Sequence, residues 1–337
     1  MNENYVYHDS RRLRYRAPFG AVKAGEQVRI LAEIKGSGRL TLRLWLDGQE
    51  RLIRGERAGE AVEFIIPAEA PGLIWYHFIW DGPEGRRYYG VQKGYGGPGR
   101  FYDEQPPSWQ LTVYDPAFET PAWFQEGVAY QIFPDRFFRS GDILGVEEHK
   151  ALGHRVLLHE DWQEEPLYLP LPGSKDYDPC DFFGGNLAGI REKLPYLASL
   201  GVTCLYINPV FLSPSNHRYN TSDYLKVDPI LGTEEDLRAL IEAAAGYGMR
   251  VMLDGVFSHT GDDSVYFDAK GVYGGGACSD PHSPYRAWYD FKRYPDDYRC
   301  WWGFRSLPEV NESEPSYMAF IADVLAHYGA LGATSWR

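Results

Sequence analysis

The chain has 337 residues, 44% of them hydrophobic and 24% charged, the balance of an ordinary globular protein of roughly two domains. Its 47 acidic residues outnumber its 34 basic ones, and a net charge of −13 argues against nucleic acid or an anionic membrane as partner, because both need a basic footprint. Aromatic residues make up 15%, which reads first as core packing and second as flat surfaces on which the apolar faces of sugar rings can stack.

Met1-Asn2-Glu3-Asn4-Tyr5 shows no basic segment leading into an apolar stretch, so no signal peptide is read there, and no window has the length of a membrane span. Cys180, Cys204, Cys278 and Cys300 match no zinc spacing and are expected to be reduced thiols, which makes the cytoplasm the expected compartment.

Residues 1–115 read as all-β. Leu40–Leu46 alternates apolar and polar residues and meets Asp47-Gly48, a hairpin signal. Val62–Ile66 is a second strand closed by Pro67, and Ile74–Trp80 is a third, with a return at Arg86–Tyr89. Short strands separated by turn residues predict a β-sandwich. Gly- and Pro-rich sequence from Gly94 to Pro107, then Tyr114–Pro121, marks a linker.

From about residue 122 the pattern becomes alternating strand and helix, the signature of parallel βα units. Predicted strands are Gly127–Pro134, Cys204–Val210 and Arg250–Phe257; predicted helices are Asn186–Leu200, Thr233–Tyr247 and Pro315–Tyr328. Pro195 sits awkwardly inside the first helix, where it removes a backbone donor. Residues 258–311 are too long for an ordinary connection and read as a subdomain inserted after the third strand. Gly332–Trp336 reads as the start of a fourth strand. The predicted fold is thus an N-terminal all-β sandwich (1–115) followed by part of an α/β (β/α)8 TIM barrel (122–337).

Such barrels place their sites at the C-terminal ends of the strands. Asp254 and His259 close the third strand, and His217 and Tyr219 lie in the loop after the second. An isolated Asp beside Gly is ordinarily a turn residue and an isolated His ordinarily a packed one. Here Asp-x-Val-x-x-His ends an apolar strand and opens the long segment, which favours function. On composition alone the His217 loop is only polar turn chemistry.

Taken together, Gly127–Phe137, Ser215–Tyr224, Asp254–His259 and the closing Trp336-Arg337 resemble the α-amylase superfamily of glycoside hydrolases, in its neopullulanase/cyclomaltodextrinase-like branch. The resemblance implies an enzyme that hydrolyses α-1,4-glucans (maltodextrins, cyclodextrins or pullulan) by a retaining mechanism. It implies that Tyr219 and His217 hold a sugar ring, that His259 hydrogen-bonds the same sugar, that Asp254 holds Arg337, and that Arg337 keeps the nucleophile ionised. It places the nucleophile and the general acid beyond Arg337, so the chain alone is expected to be inactive. The alternative is a non-catalytic carbohydrate-binding or assembly fragment. By the same resemblance residues 1–115 are a starch-binding-type module, the expected partner is an α-glucan oligosaccharide, and a homodimer is possible. No cofactor is required. A calcium ion could be held by Asp142, Gly184 and Asn186, although Arg139 intrudes into that loop and Ser258 stands where the family usually places a calcium-binding Asn.

Overall fold

A computed structural model describes residues 5–170 and 178–337; Met1–Asn4, where the leader was sought, lie outside the described residues. The chain divides into two compact units, Met1–Thr120 and Pro121–Arg337.

The first unit is the predicted sandwich. One sheet is built around Gln27–Lys35, which pairs antiparallel with Ala61–Pro67, Tyr5–Tyr7 and Arg16–Ala17. The other is built around Gly72–Gly82, flanked by Arg39–Leu46, Gly85–Val91 and Trp109–Tyr114. Alternation sends Val28, Ile30, Phe64 and Ile66 of one sheet and Leu42, Leu44, Tyr76, Phe78 and Trp109 of the other into a single core. The Asp47-Gly48 hairpin forms as predicted, with positive φ at both residues (48° and 76°), so that its twist matches the strands.

His8 is buried in this core. Its Nδ1–H donates to the Leu31 carbonyl (2.8 Å) and its Nε2 accepts from the Tyr76 hydroxyl (3.1 Å). Burial holds it neutral and lowers its pKa to about 4.

In the second unit four parallel strands, Ala129–Ile132, Cys204–Ile207, Arg250–Leu253 and Ser335–Trp336, lie side by side in chain order. Sequential parallel strands joined by helices neighbour one another in this way because the crossover is short and right-handed. The helix Glu234–Gly246 starts at Thr233, which forms a capping box with Asp236. The single helix predicted over Asn186–Leu200 is instead two, Leu187–Glu192 and Leu194–Ser199, and Pro195 opens the second, where its missing N–H costs nothing. The third strand stops at Leu253 rather than continuing to Phe257. The segment after it carries a short antiparallel pair, Phe291–Arg293 with Asp297–Tyr298. Phe267, Trp288, Tyr289 and Tyr298 of this segment belong to the same apolar cluster as the sheet. All four cysteines are free, and among the described residues no helix is long and apolar enough to cross a membrane.

The state of His8 sets a pH dependence. A folded pKa below the unfolded value of about 6.5 means that the native unit binds fewer protons between those values, so its stability falls as pH drops. Between pH 7 and pH 4.5 this one group is expected to cost the sandwich about 2.5 kcal/mol. Hydrogen exchange of Gln27–Lys35 and Gly72–Gly82 in the intact chain, corrected for intrinsic rates, should show that loss, and His8→Gln should flatten it.

Candidate active site

The site is organised by Asp254, at the C-terminal end of the third strand, whose side chain is fully buried. The Tyr206 hydroxyl donates to its Oδ2 at 2.5 Å and the Tyr219 hydroxyl to the same oxygen at 2.9 Å. Arg337 Nη1 donates to its Oδ1 at 3.3 Å. The partners come from the second strand, the loop that follows it and the end of the fourth strand, so one carboxylate ties three consecutive βα units at one end of the sheet. Burial and then Asp254 keep the Tyr206 phenol above its usual pKa, and burial with the same two partners does so more strongly for Tyr219; both remain donors. Arg337 stays largely exposed, its guanidinium 5.9 Å from the centre of the Tyr206 ring.

The loop carrying His217 and Tyr219 is held by the residue between them. Arg218 is fully buried, in the left-handed region (φ 62°). Its Nη2–H donates to Asp228 Oδ1 (3.2 Å), its Nε lies 3.1 Å from Asp228 Oδ2, and its Nη1–H donates to the Asn216 carbonyl (2.7 Å). Burial opposes the Asp228 charge, but Arg218 and His149 together outweigh it and bring that pKa down to about 2. With Arg218 turned inward, the residues on either side face the site. The Tyr219 N–H donates to His217 Nδ1 (3.0 Å), which leaves the proton of the neutral ring on Nε2. Burial, aided by the Arg218 charge, lowers the His217 pKa to about 4.

His259 reaches the same place. Its Nε2–H donates to the Tyr219 carbonyl (3.2 Å) and its Nδ1 accepts from the Ser258 hydroxyl (3.0 Å). Burial lowers its pKa while the Tyr219 carbonyl partly offsets this. Tyr219 and His259 therefore meet, as expected for neighbouring strands. Both His259 nitrogens are occupied within the protein, which leaves His217 Nε2–H as the free imidazole donor of the group.

Asp142, Gly184 and Asn186 are the candidate calcium residues. Asn186 caps the helix Leu187–Glu192: its Oδ1 accepts from the Gly189 and Ser140 N–H groups (2.7 and 3.3 Å), and its Nδ2 donates to the Ser140 carbonyl. The Gly184 N–H donates to the buried Asp135, and a side chain at Gly185 would meet the Pro134 carbonyl at 2.0 Å. Gly185 thus answers a close backbone approach, and Gly184 a left-handed backbone (φ 73°) against the Ile143 side chain. Asp142 is exposed. The Arg139 guanidinium donates to the carbonyls of His159, Glu160 and Phe183. Among the described residues no three His, Cys, Asp or Glu side chains are placed to hold a metal ion. The candidate set does not fit calcium: its oxygens are already engaged or do not converge.

Residues 131–324 match the family described as alpha amylase, catalytic domain. The chain belongs to the α-amylase family. It is 38% identical to an amylopullulanase of Thermoanaerobacter thermohydrosulfuricus over 99% of its own length and 26% of that protein's. It is 33% identical to a cyclomaltodextrinase of Geobacillus thermopakistaniensis (strain MAS1), over 63% of this chain and 32% of that one. The solved type III pullulan hydrolase from Thermococcus kodakarensis aligns with 28% identity and a TM-score of 0.55, over 99% of this chain and 55% of that one. The chain spans about a quarter to a third of the length of these two curated relatives.

Two members of the site carried no signal in the sequence. Tyr206 was only a strand residue, although a polar-tipped aromatic near the C-terminal end of a buried barrel strand is a usable cue. Arg218 lies between two marked residues, with nothing local to announce its pairing with Asp228. Replacing Arg218 with Met removes the cation paired with the buried Asp228 carboxylate, leaving it the Ile230 N–H and His149 Nε2, and is expected to cost about 3–5 kcal/mol in chemical denaturation. A loss below about 1 kcal/mol would show that the loop is held by its backbone bonds instead.

Proposed function

We propose that these residues form the N-terminal module and the first part of the catalytic barrel of a hydrolase of α-1,4-glucans (maltodextrins, cyclodextrins or pullulan) that acts with retention. Residues 258–311 are the inserted subdomain of that barrel. The observation that carries the reading is the convergence of Tyr206, Tyr219 and Arg337 on Asp254 at one end of a parallel sheet. In the retaining reaction one carboxylate attacks the anomeric carbon and a second protonates the leaving oxygen. Asp254 suits neither task, since both of its oxygens are bound. Its role is to fix the Tyr219 ring as a stacking surface and to aim Arg337, whose charge would favour ionisation of a neighbouring nucleophile. His217 Nε2–H is the donor to a sugar hydroxyl. In this reading Asp254, Tyr219, Arg337 and His217 position substrate.

We also propose a glucan-binding role for the sandwich, supported by an open cleft of about 520 Å3 where Trp45 and Trp75 adjoin Arg43, Gln105 and Ser108. The four free thiols suit a reducing compartment.

In calorimetry with maltotetraose, Tyr219→Ala is expected to weaken binding by about tenfold or more, while Tyr219→Phe, which keeps the ring, retains most of it. Unchanged affinity in Tyr219→Ala would sink the reading. The 337 residues alone should bind without turnover, and maltose release at enzyme-like rates would overturn that assignment. Because Arg139 supplies a cation to three carbonyls, no calcium is needed at this loop. Melting in EDTA and in excess calcium is expected to agree within about 1 °C, whereas a bound ion would shift it by RT ln(1 + [L]/Kd).

A further inference from the structure

Trp302 stands out on the surface of the second unit. It is 83% exposed and sits in the left-handed region (φ 50°, ψ 21°), a conformation that costs a bulky residue free energy and persists only where its surroundings impose it. The surroundings do impose it. The Trp301 N–H donates to the Leu307 carbonyl, the Phe304 N–H to the Trp301 carbonyl and the Leu307 N–H to the Phe304 carbonyl, while the Tyr298 hydroxyl donates to the Arg305 carbonyl (2.9 Å). The turn folds the Trp302 indole flat onto that of Trp301, with centroids 4.6 Å apart and planes within 1°. Trp301 in turn lies 5.1 Å from the His259 ring. A bridge between His259 and Glu309 ties the base of the turn to the site.

The result is a run of rings from His259, which is hydrogen-bonded to the Tyr219 carbonyl, outward to Trp301 and Trp302. One face of the Trp302 indole is covered by Trp301. The other is presented to solvent on a rigid turn that gains nothing in folding from exposing it. A flat, immobilised apolar face beside a sugar site suits the C–H face of a pyranose ring.

We propose that Trp302, backed by Trp301, is an outer stacking site for one glucose ring of an α-glucan chain, extending the site at Tyr219 and His259 so that affinity grows with chain length. This inference rests on the glucan-binding reading above. It makes Trp302 a determinant of chain-length preference, separate from the groups that hold the ring nearest Asp254.

The test is calorimetry of the 337-residue chain with maltose and maltohexaose. The wild type is expected to bind maltohexaose at least about tenfold more tightly than maltose, a difference of about 1.4 kcal/mol. Trp302→Ala should lose most of that advantage and leave maltose binding unchanged, and Trp302→Phe should recover part of it. Trp302→Gly, which suits the positive φ, provides a second variant in which folding is not at issue. Equal maltohexaose affinity in wild type and Trp302→Ala, with Tyr219→Ala still impaired, overturns this inference and spares the earlier reading. A wild type that binds neither sugar overturns both. A concentration-dependent dimer abolished by Trp302→Ala, without change in sugar binding, would assign the face to a second copy of the chain and also overturn it.

Discussion

A carboxylate taken out of water has to be compensated, and at Asp254 the compensation comes from three separate pieces of chain. Two phenol hydroxyls and one guanidinium meet it at 2.5, 2.9 and 3.3 Å. A buried acid left without partners costs several kcal/mol, so these donors are obliged to stay. That obligation aligns the loop after the second strand with the ends of the third and fourth. The rest of the site follows from it, because the Tyr219 ring and the Arg337 head are positioned through the acid they share.

The same logic operates one layer back. Arg218 and Asp228, both fully buried, pair through one hydrogen bond (Nη2–H to Oδ1) and one ionic contact (Nε to Oδ2) and hold the His217–Tyr219 loop from behind. His217 and His259 are each kept neutral by burial, with one ring nitrogen committed to the backbone near Tyr219. With its pKa near 4, His217 stays neutral across the neutral range. The site's surface toward a ligand is made of rings and neutral donors around one exposed cation, which suits an uncharged, hydroxyl-rich substrate better than an anion. The calcium site implied by the family resemblance is not rebuilt in this layer. The carbonyls of His159, Glu160 and Phe183 receive the Arg139 guanidinium, and Asn186 is spent on a helix cap.

Much of this was legible in the amino-acid sequence, because it depends on short-range pattern. Period-two alternation with Asp47-Gly48 defined a sandwich strand and its hairpin. The Thr233 cap and the apolar runs at Cys204–Ile207 and Arg250–Leu253 defined the parallel units, and their order in the chain became their order in the sheet. Asp254 and His259 could be marked because strand ends are where such a sheet collects its polar groups, and His217 and Tyr219 only through the family resemblance of their motif. The sequence could not say that Pro195 starts a helix instead of bending one, since that depends on where the preceding turn stops. Nor could it show that Arg218 faces inward, that both His259 nitrogens are taken, or that Trp302 lies against Trp301. Each of these is a contact between residues whose partners are chosen by packing, or a backbone angle imposed by distant hydrogen bonds, and neither leaves a local trace. Local chemistry decided which elements form and where they end; the tertiary structure alone decided which buried charges find each other, and with them which side chains face the site.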